Sequence, residues 1–323
     1  MPLHPNIDPE LAEGLKHAFL PPVDFARMSP ADLPGLRRQM GAAFAAMPSF
    51  AAPGLSVEDR MVPGPDGDPD IRVRLYRPEE RHGPLPCLYW MHGGGMVLGL
   101  VEMDDARMAR FVQDVGCAVV SVEYRLAPEH PHPAPVEDCY AGLVWAVKNA
   151  EELGVDPERV AVGGSSAGGG LAAGTVLMAR DRGGPPVAFQ LLSSPMLDDR
   201  GTTPSSREFT EAVAWNRDAN VFGWTALLGD AIGTEGVSPY AAAARAADLS
   251  GLPPAYIEVG ELEVFRDECA DYAMRLVRAG VSTEFHMHPG AFHGFDAFVP
   301  EAGLSRRAAA GRAAALRRAL VRV

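Results

Sequence analysis

Short apolar runs take turns with longer helical patterns through most of this 323-residue chain, and few architectures accept that order. Residues 71–76 alternate apolar and charged side chains, as a half-exposed strand does. Runs at 87–91, 118–122, 159–162, 187–192, 255–259 and 283–287 are short and mostly apolar, which suits strands buried on both faces. Between them, helical spacing is readable at 103–115, 136–153, 167–179, 267–279 and 304–320. In the fourth, Cys269, Tyr272, Ala273, Leu276 and Val277 form an apolar stripe, and Gly280 follows as a stop signal. The expected fold class is therefore α/β, a mainly parallel central sheet flanked by helices. Two segments break the alternation. Residues 1–55 read as helical and precede the first expected strand, and residues 198–250 separate two core strands by more than one crossover needs. Both are expected to form a helical cap over the carboxyl edge of the sheet, where such folds bind ligands. The core then spans 56–323, with the second cap segment inserted at 198–250.

Charge narrows the function. With 42 acidic against 29 basic residues the chain carries −13, so a phosphate backbone is repelled and nucleic acid is excluded as a partner. The basic stretch Arg306, Arg307, Arg312, Arg317 and Arg318 is interleaved with alanine and leucine, and reads as the solvated face of a last helix. Cys87, Cys117, Cys139 and Cys269 form no CxxC pair and sit in apolar segments, as reduced core thiols would. No long apolar run predicts a membrane span, and the N-terminus lacks the pattern of a secretory signal, so the expected compartment is the cytoplasm.

Gly164-Ser165-Ser166-Ala167-Gly168 lies between the expected strand 159–162 and a helix of small residues. A serine nucleophile at a strand-to-helix turn needs this spacing, and only Ser166 has glycine at both flanking positions. About seventy residues upstream, His92-Gly93-Gly94-Gly95 follows the strand 87–91. Acyl transfer develops an oxyanion that needs preorganised donors. The N–H groups of Gly93, Gly94 and Ala167 are the candidates, with His92 and Gly95 supporting the loop. For a base, the chain order serine, acid, histidine leaves His286, His288 and His293. The first two share a strand face, whereas His293 follows Pro289-Gly290 on an expected loop, so His293 is favoured. Four carboxylates compete to orient it: Glu261, Glu263, Asp267 and Glu268. Asp267 and Glu268 suit a helix's first turn. Glu263, mid-loop among apolar neighbours, is preferred. Trp215 and Phe222 are candidate pocket walls, although buried aromatics more often serve a core. Gly168 to Ala173 matches G-x-G-x-x-A but lacks the βα-turn context of a dinucleotide site, and Glu129-His130-Pro131-His132 cannot ligate a metal at helical spacing.

Together HGGG at His92, YRLAPEHPHPAPVEDC from Tyr124, GGSSAGGGLAA from Gly163, FRDE from Phe265 and HPGAFHGF from His288 make the chain similar to the bacterial hormone-sensitive-lipase-like esterases of the α/β-hydrolase superfamily. The resemblance implies carboxylester hydrolysis by a serine triad of Ser166, His293 and Glu263, an oxyanion hole of Gly93, Gly94 and Ala167, and neither metal nor cofactor. Small acyl or aryl esters are the expected substrates, and homodimerisation is compatible with the resemblance. Two departures stand out: Ser165 precedes the nucleophile where the family commonly has Asp, and Glu263 stands where it commonly has Asp. Related acyl hydrolysis of amides, thioesters or lactones uses the same triad. A non-catalytic receptor on this scaffold, as in plant gibberellin receptors, is disfavoured by the presence of both Ser166 and His293.

Overall fold

The computed structural model describes residues 3–18, 23–47, 50–80 and 82–321. Its eight strands are β1 (Leu55–Val62), β2 (Ile71–Pro78), β3 (Leu85–Met91), β4 (Ala118–Glu123), β5 (Val155–Ser165), β6 (Phe189–Ser193), β7 (Ala255–Leu262) and β8 (Thr283–Phe292). They form one sheet in the order β1-β2-β4-β3-β5-β6-β7-β8. The β1–β2 and β2–β4 pairs are antiparallel, and every pair from β4–β3 to β7–β8 is parallel. The helices, in chain order, are α1 (Pro9–Gly14), α2 (Leu33–Ala45), α3 (Asp105–Val115), α4 (Ala134–Lys148), α5 (Ala150–Leu153), α6 (Ala167–Asp181), α7 (Pro204–Glu208), α8 (Arg217–Leu228), α9 (Arg266–Arg278), α10 (Phe295–Phe298) and α11 (Gly303–Leu320).

Strand periodicity divides the core. On β3, Leu88 and Trp90 face α3 and α11, while Cys87, Tyr89 and Met91 join the cluster holding α4, α6 and α9. Alternate residues point to opposite faces, so an almost uninterrupted apolar strand serves two cores. This is the α/β sheet expected from the alternation.

Several boundaries differ from expectation, β5 among them, which runs Val155–Ser165 rather than 159–162. β1 has no counterpart among the expected strands, because its half-exposed edge position leaves only weak alternation in LSVEDRMV. The helical pattern 136–153 breaks at Asn149, whose side-chain Nδ2 donates to Trp145 O at 2.8 Å and competes with continuation of the helix. β7 and β8 run further than expected: pairing resumes at Leu262↔Phe292 after an irregularity between Gly260 and Leu262. Pro289 is tolerated inside β8 because this is the last strand of the sheet. Glu263 and His293 thus directly follow two paired strands rather than floating in loops. On α9, Val277 is exposed, and Cys269, Tyr272, Ala273 and Leu276 carry the stripe.

The basic stretch is corrected at one position. Arg306, Arg307, Arg317 and Arg318 are exposed on α11, but Arg312 is 3% exposed. It falls on the buried stripe Ala308, Arg312, Leu316 and Leu320, at a spacing of four.

Helices α1 and α2 precede β1, and α7 and α8 lie within 198–250, between β6 and β7. The two segments meet at Phe25, whose ring lies 5.1 Å from Trp215 and 5.5 Å from Phe222. Residues 1, 2, 19–22, 48 and 49 of the first expected cap segment lie outside the described residues. Among the described residues no helix is long and apolar enough to cross a membrane.

Candidate active site

Ser166 occupies the junction of β5 and α6 with φ 58° and ψ −122°. A non-glycine residue there costs on the order of 1–3 kcal/mol, so the surroundings must enforce it. They do so through both backbone groups: Ser166 N–H donates to Ser193 O at 2.8 Å, and Ser166 O accepts from Met196 N at 3.0 Å. Close approach of α6 completes the turn. A Cβ on Gly168 would stand 2.2 Å from Met91 O and 2.3 Å from His92 O, so only glycine lets the start of α6 abut the end of β3.

The structure brings His293 to it. His293 Nε2 lies 2.9 Å from Ser166 Oγ, and Nδ1 is hydrogen-bonded to Glu263 Oε2. A carboxylate only accepts, so Nδ1 carries the proton and Nε2 of the neutral ring accepts from the serine. Phe265 packs edge-on against the ring at 5.2 Å. Glu263 is fully buried, and its other oxygen, Oε1, accepts from Gly260 N at 2.6 Å and Ser194 Oγ at 2.8 Å. Both oxygens are satisfied, which makes a buried carboxylate tenable. The longer glutamate side chain reaches back over Gly260, where the absent side chain leaves room.

Of the four competing carboxylates, Glu263 is the one in contact with the imidazole. Glu261 accepts from Gly290 N at 2.7 Å. Asp267 accepts from Ser205 N at 2.7 Å and pairs with Arg266. Glu268 accepts from Leu197 N at 2.7 Å and is 2% exposed, and burial pushes its carboxyl well above the usual range. His286 pairs with Glu284, and His288 with Glu258.

The glycine turn runs over the serine. A Cβ on Gly93 would lie 3.3 Å from Ser166 Cβ. His92 Nδ1 donates to Gly93 O at 2.7 Å, its ring stacks on Tyr124 at 4.3 Å, and the Tyr124 hydroxyl donates to His92 O at 2.8 Å. Burial depresses the His92 pKa, so the ring is a neutral brace for the turn. Among the described residues, the N–H groups of Gly93, Gly94 and Ala167 are not taken by backbone acceptors. The Ala167 amide is the first of α6 and has no intrahelical partner.

Trp215 closes the far side of the turn: a Cβ on Gly95 would collide with its indole at 2.0 Å. Trp215 is buried, and Phe222 is half-buried against Phe25. Residues that the sequence did not single out also matter here. Ser194 and Gly260 hold Glu263, and Glu258, inside an apolar strand run, is a buried hub for Ser193, His288 and Arg312. A charged residue within such a run was the available signal.

A family model described as alpha/beta hydrolase fold matches residues 88–297. Carboxylesterase NlhH of Mycobacterium tuberculosis is 40% identical over 318 residues, covering 98% of this chain and 97% of its own. Ethyl acetate hydrolase of Pseudomonas putida is 30% identical over 230 residues, 70% of this chain and 71% of its own. The solved structure of a bacterial heroin esterase superposes with a TM-score of 0.91 at 47% identity, covering 98% of this chain and 99% of that one. The chain therefore belongs to the alpha/beta-hydrolase family, in its branch of hormone-sensitive-lipase-like esterases.

Proposed function

We propose that this protein is a serine carboxylesterase that hydrolyses small acyl or aryl esters, with Ser166 as nucleophile, His293 as base, Glu263 as orienting acid, and Gly93, Gly94 and Ala167 as oxyanion donors. The observation that carries the reading is the continuous relay Glu263–His293–Ser166, ending beneath the Gly93 turn. His293 Nε2 takes the Ser166 proton as Oγ attacks the ester carbonyl. The tetrahedral oxyanion accepts from the three amides, and the resulting imidazolium, stabilised by Glu263, protonates the leaving alcohol. Water, deprotonated by the same nitrogen, then releases the acid from the acyl-enzyme.

Small substrates are favoured by the aromatic wall. Trp215 abuts Gly95, and Phe25 and Phe222 back it, so the space beside the oxyanion turn is bounded by three rigid rings. On this reading residues 1–55 and 198–250 form the cap. The similarity to an ethyl acetate hydrolase supports the same size class. We further place the enzyme in the cytoplasm, where its four free, buried cysteines remain reduced. A homodimer would use the outer edge of β8, the last strand of the sheet, ahead of Gly290, whose carbonyl is already taken by Asp8 N.

Turnover of p-nitrophenyl esters from acetate to palmitate, with Ser166→Ala as control, tests the reading. A short-chain maximum that vanishes in the variant is expected. A long-chain maximum would overturn the small-substrate reading, and activity retained by Ser166→Ala would overturn the mechanism.

A further inference from the structure

Beneath the site lies a buried ion cluster that the ester chemistry does not use. Arg312 of α11 pairs through Nη1 with Glu258 of β7 and through Nη2 with Asp296 of α10. Its side chain is 4% exposed, and those of Glu258 and Asp296 are 3% and 12% exposed. Around these three stand Arg107, 3.3 Å from Asp296 and itself beside Asp104 on the preceding turn, then His288 Nε2 at 3.1 Å and the Tyr256 hydroxyl at 3.1 Å, both on Glu258. Removing charges from water is expensive, and a buried ion cluster of this kind is weak evidence for stability alone. Its connections point elsewhere.

Each of the two carboxylates on Arg312 leads to a segment of the proposed triad. Asp296 lies three residues after His293, across Gly294, which has φ 72°. A left-handed glycine beside the base leaves the turn conformationally free unless its far end is tied down. Glu258 Oε1 accepts from Ser193 Oγ at 2.9 Å, and the carbonyl of the same Ser193 receives the Ser166 N–H at 2.8 Å. Glu258 O accepts from Ser194 N at 2.7 Å, and the Ser194 hydroxyl donates to Glu263 at 2.8 Å. The His293 turn thus reaches the guanidinium through Asp296, and the Ser193 and Ser194 contacts with Ser166 and Glu263 reach it through Glu258.

We propose that Arg312 is a positioning residue for the hydrolysis, fixing the His293 turn through Asp296 and the Ser166 and Glu263 supports through Glu258. The inference rests on the triad reading above. Arg312 touches no substrate; its effect is to hold His293 Nε2 at hydrogen-bond distance from Ser166 Oγ while the proton moves. A bidentate guanidinium can brace two carboxylates on different elements at once, which a lysine ammonium does less well.

The test compares Arg312→Met, Arg312→Lys and Asp296→Asn in the full-length enzyme on p-nitrophenyl acetate, with rates normalised by active-site titration so that only folded, reactive protein counts. Arg312→Met is expected to lower kcat by about tenfold to a hundredfold, the scale of a small misplacement of reacting groups. KM should stay within about twofold, because substrate contacts are untouched. Arg312→Lys should recover part of the loss. The acid limb of kcat/KM carries the distinguishing signature. Loss of the cation leaves Glu258 and Asp296 to favour imidazolium, so the limb moves to higher pH in Arg312→Met. Loss of one carboxylate in Asp296→Asn moves it to lower pH. A purely structural role would lower the melting temperature and leave kcat and the acid limb at wild-type values, and that result overturns the proposal. If Arg312→Met does not fold, the kcat and limb of Asp296→Asn decide alone. Ser166→Ala run alongside separates the two ideas: its inactivity upholds the triad even where the Arg312 variants behave as wild type.

Discussion

Replacing Glu263 by glutamine gives a sharp test of the relay, because the structure dictates which way the amide must face. Glu263 Oε1 accepts from two donors, Gly260 N at 2.6 Å and Ser194 Oγ at 2.8 Å. In Glu263→Gln the carbonyl oxygen must stay there, since turning the NH2 toward Gly260 would set two N–H groups against each other in a dry site. The amide NH2 then points at His293 Nδ1 and can only donate. His293 is driven into the tautomer with the proton on Nε2, which can no longer accept from Ser166. Forcing the wrong tautomer costs about 10⁴-fold in kcat, or about 5 kcal/mol of barrier. Glu263→Ala forces neither tautomer, so it should retain more activity than the glutamine. It should also be less stable, by about 1–3 kcal/mol for each donor left unpaired, Gly260 N and Ser194 Oγ. Stopped-flow or steady-state turnover of p-nitrophenyl acetate, alongside thermal unfolding, reads both quantities. A glutamine variant with more than about a tenth of wild-type kcat, or one more active than the alanine, would refute the reasoning.

Three further outcomes follow from the packing and the buried charges. Gly168→Ala puts a Cβ 2.2 Å from the Met91 carbonyl and should destabilise the fold by about 1–3 kcal/mol while lowering kcat, read by chemical denaturation and turnover. Burial raises the Glu258 carboxyl, but the Arg312 cation and the His288 hydrogen bond overcome this and hold it at about 2, against 4.5 as the ordinary value. The stability it contributes, about 3 kcal/mol, is therefore complete above about pH 4.5 and is lost as the pH falls toward 2. Acid titration of Glu258→Gln followed by circular dichroism should show a weaker pH dependence over that window. Glu268 behaves in the opposite sense: burial holds its folded carboxyl well above 4.5, so the folded state binds the extra proton and stability falls as pH rises above 4.5. Glu268→Gln keeps an oxygen for Leu197 N and should melt higher than the wild type at pH 8, with the difference disappearing at pH 4.

Much of the candidate site was legible because its demands are local. A strained serine between strand and helix needs small flanking residues within two positions, so Ser166 announces itself. The proposed oxyanion turn needs consecutive glycines after a strand, so His92 to Gly95 does the same. In the sequence, its apolar neighbours distinguish Glu263 from Glu261, Asp267 and Glu268. Those neighbours bury it because β7 and β8 pair as far as Leu262↔Phe292, and that pairing carries Glu263 and His293 together. The extension of the two strands itself was not legible. It depends on hydrogen bonds between segments about thirty residues apart, across an irregularity that no single run displays.

The sequence by itself determined the alternation of strands and helices, the glycine-flanked turn at Ser166 and the chain order Ser166, Glu263, His293, since each follows from spacing along one stretch of chain. The tertiary structure decided which carboxylate meets the histidine, that Trp215 abuts the glycine turn, and that Arg312 is buried. In the sequence Arg312 is one arginine among five, and only its interval of four from Ala308 and Leu316 hints at an inward position. Burying it is tenable because β7 and the turn after His293 each bring a carboxylate to the same place. Compensation of that kind is a property of three elements packed together, so no one of them encodes it alone.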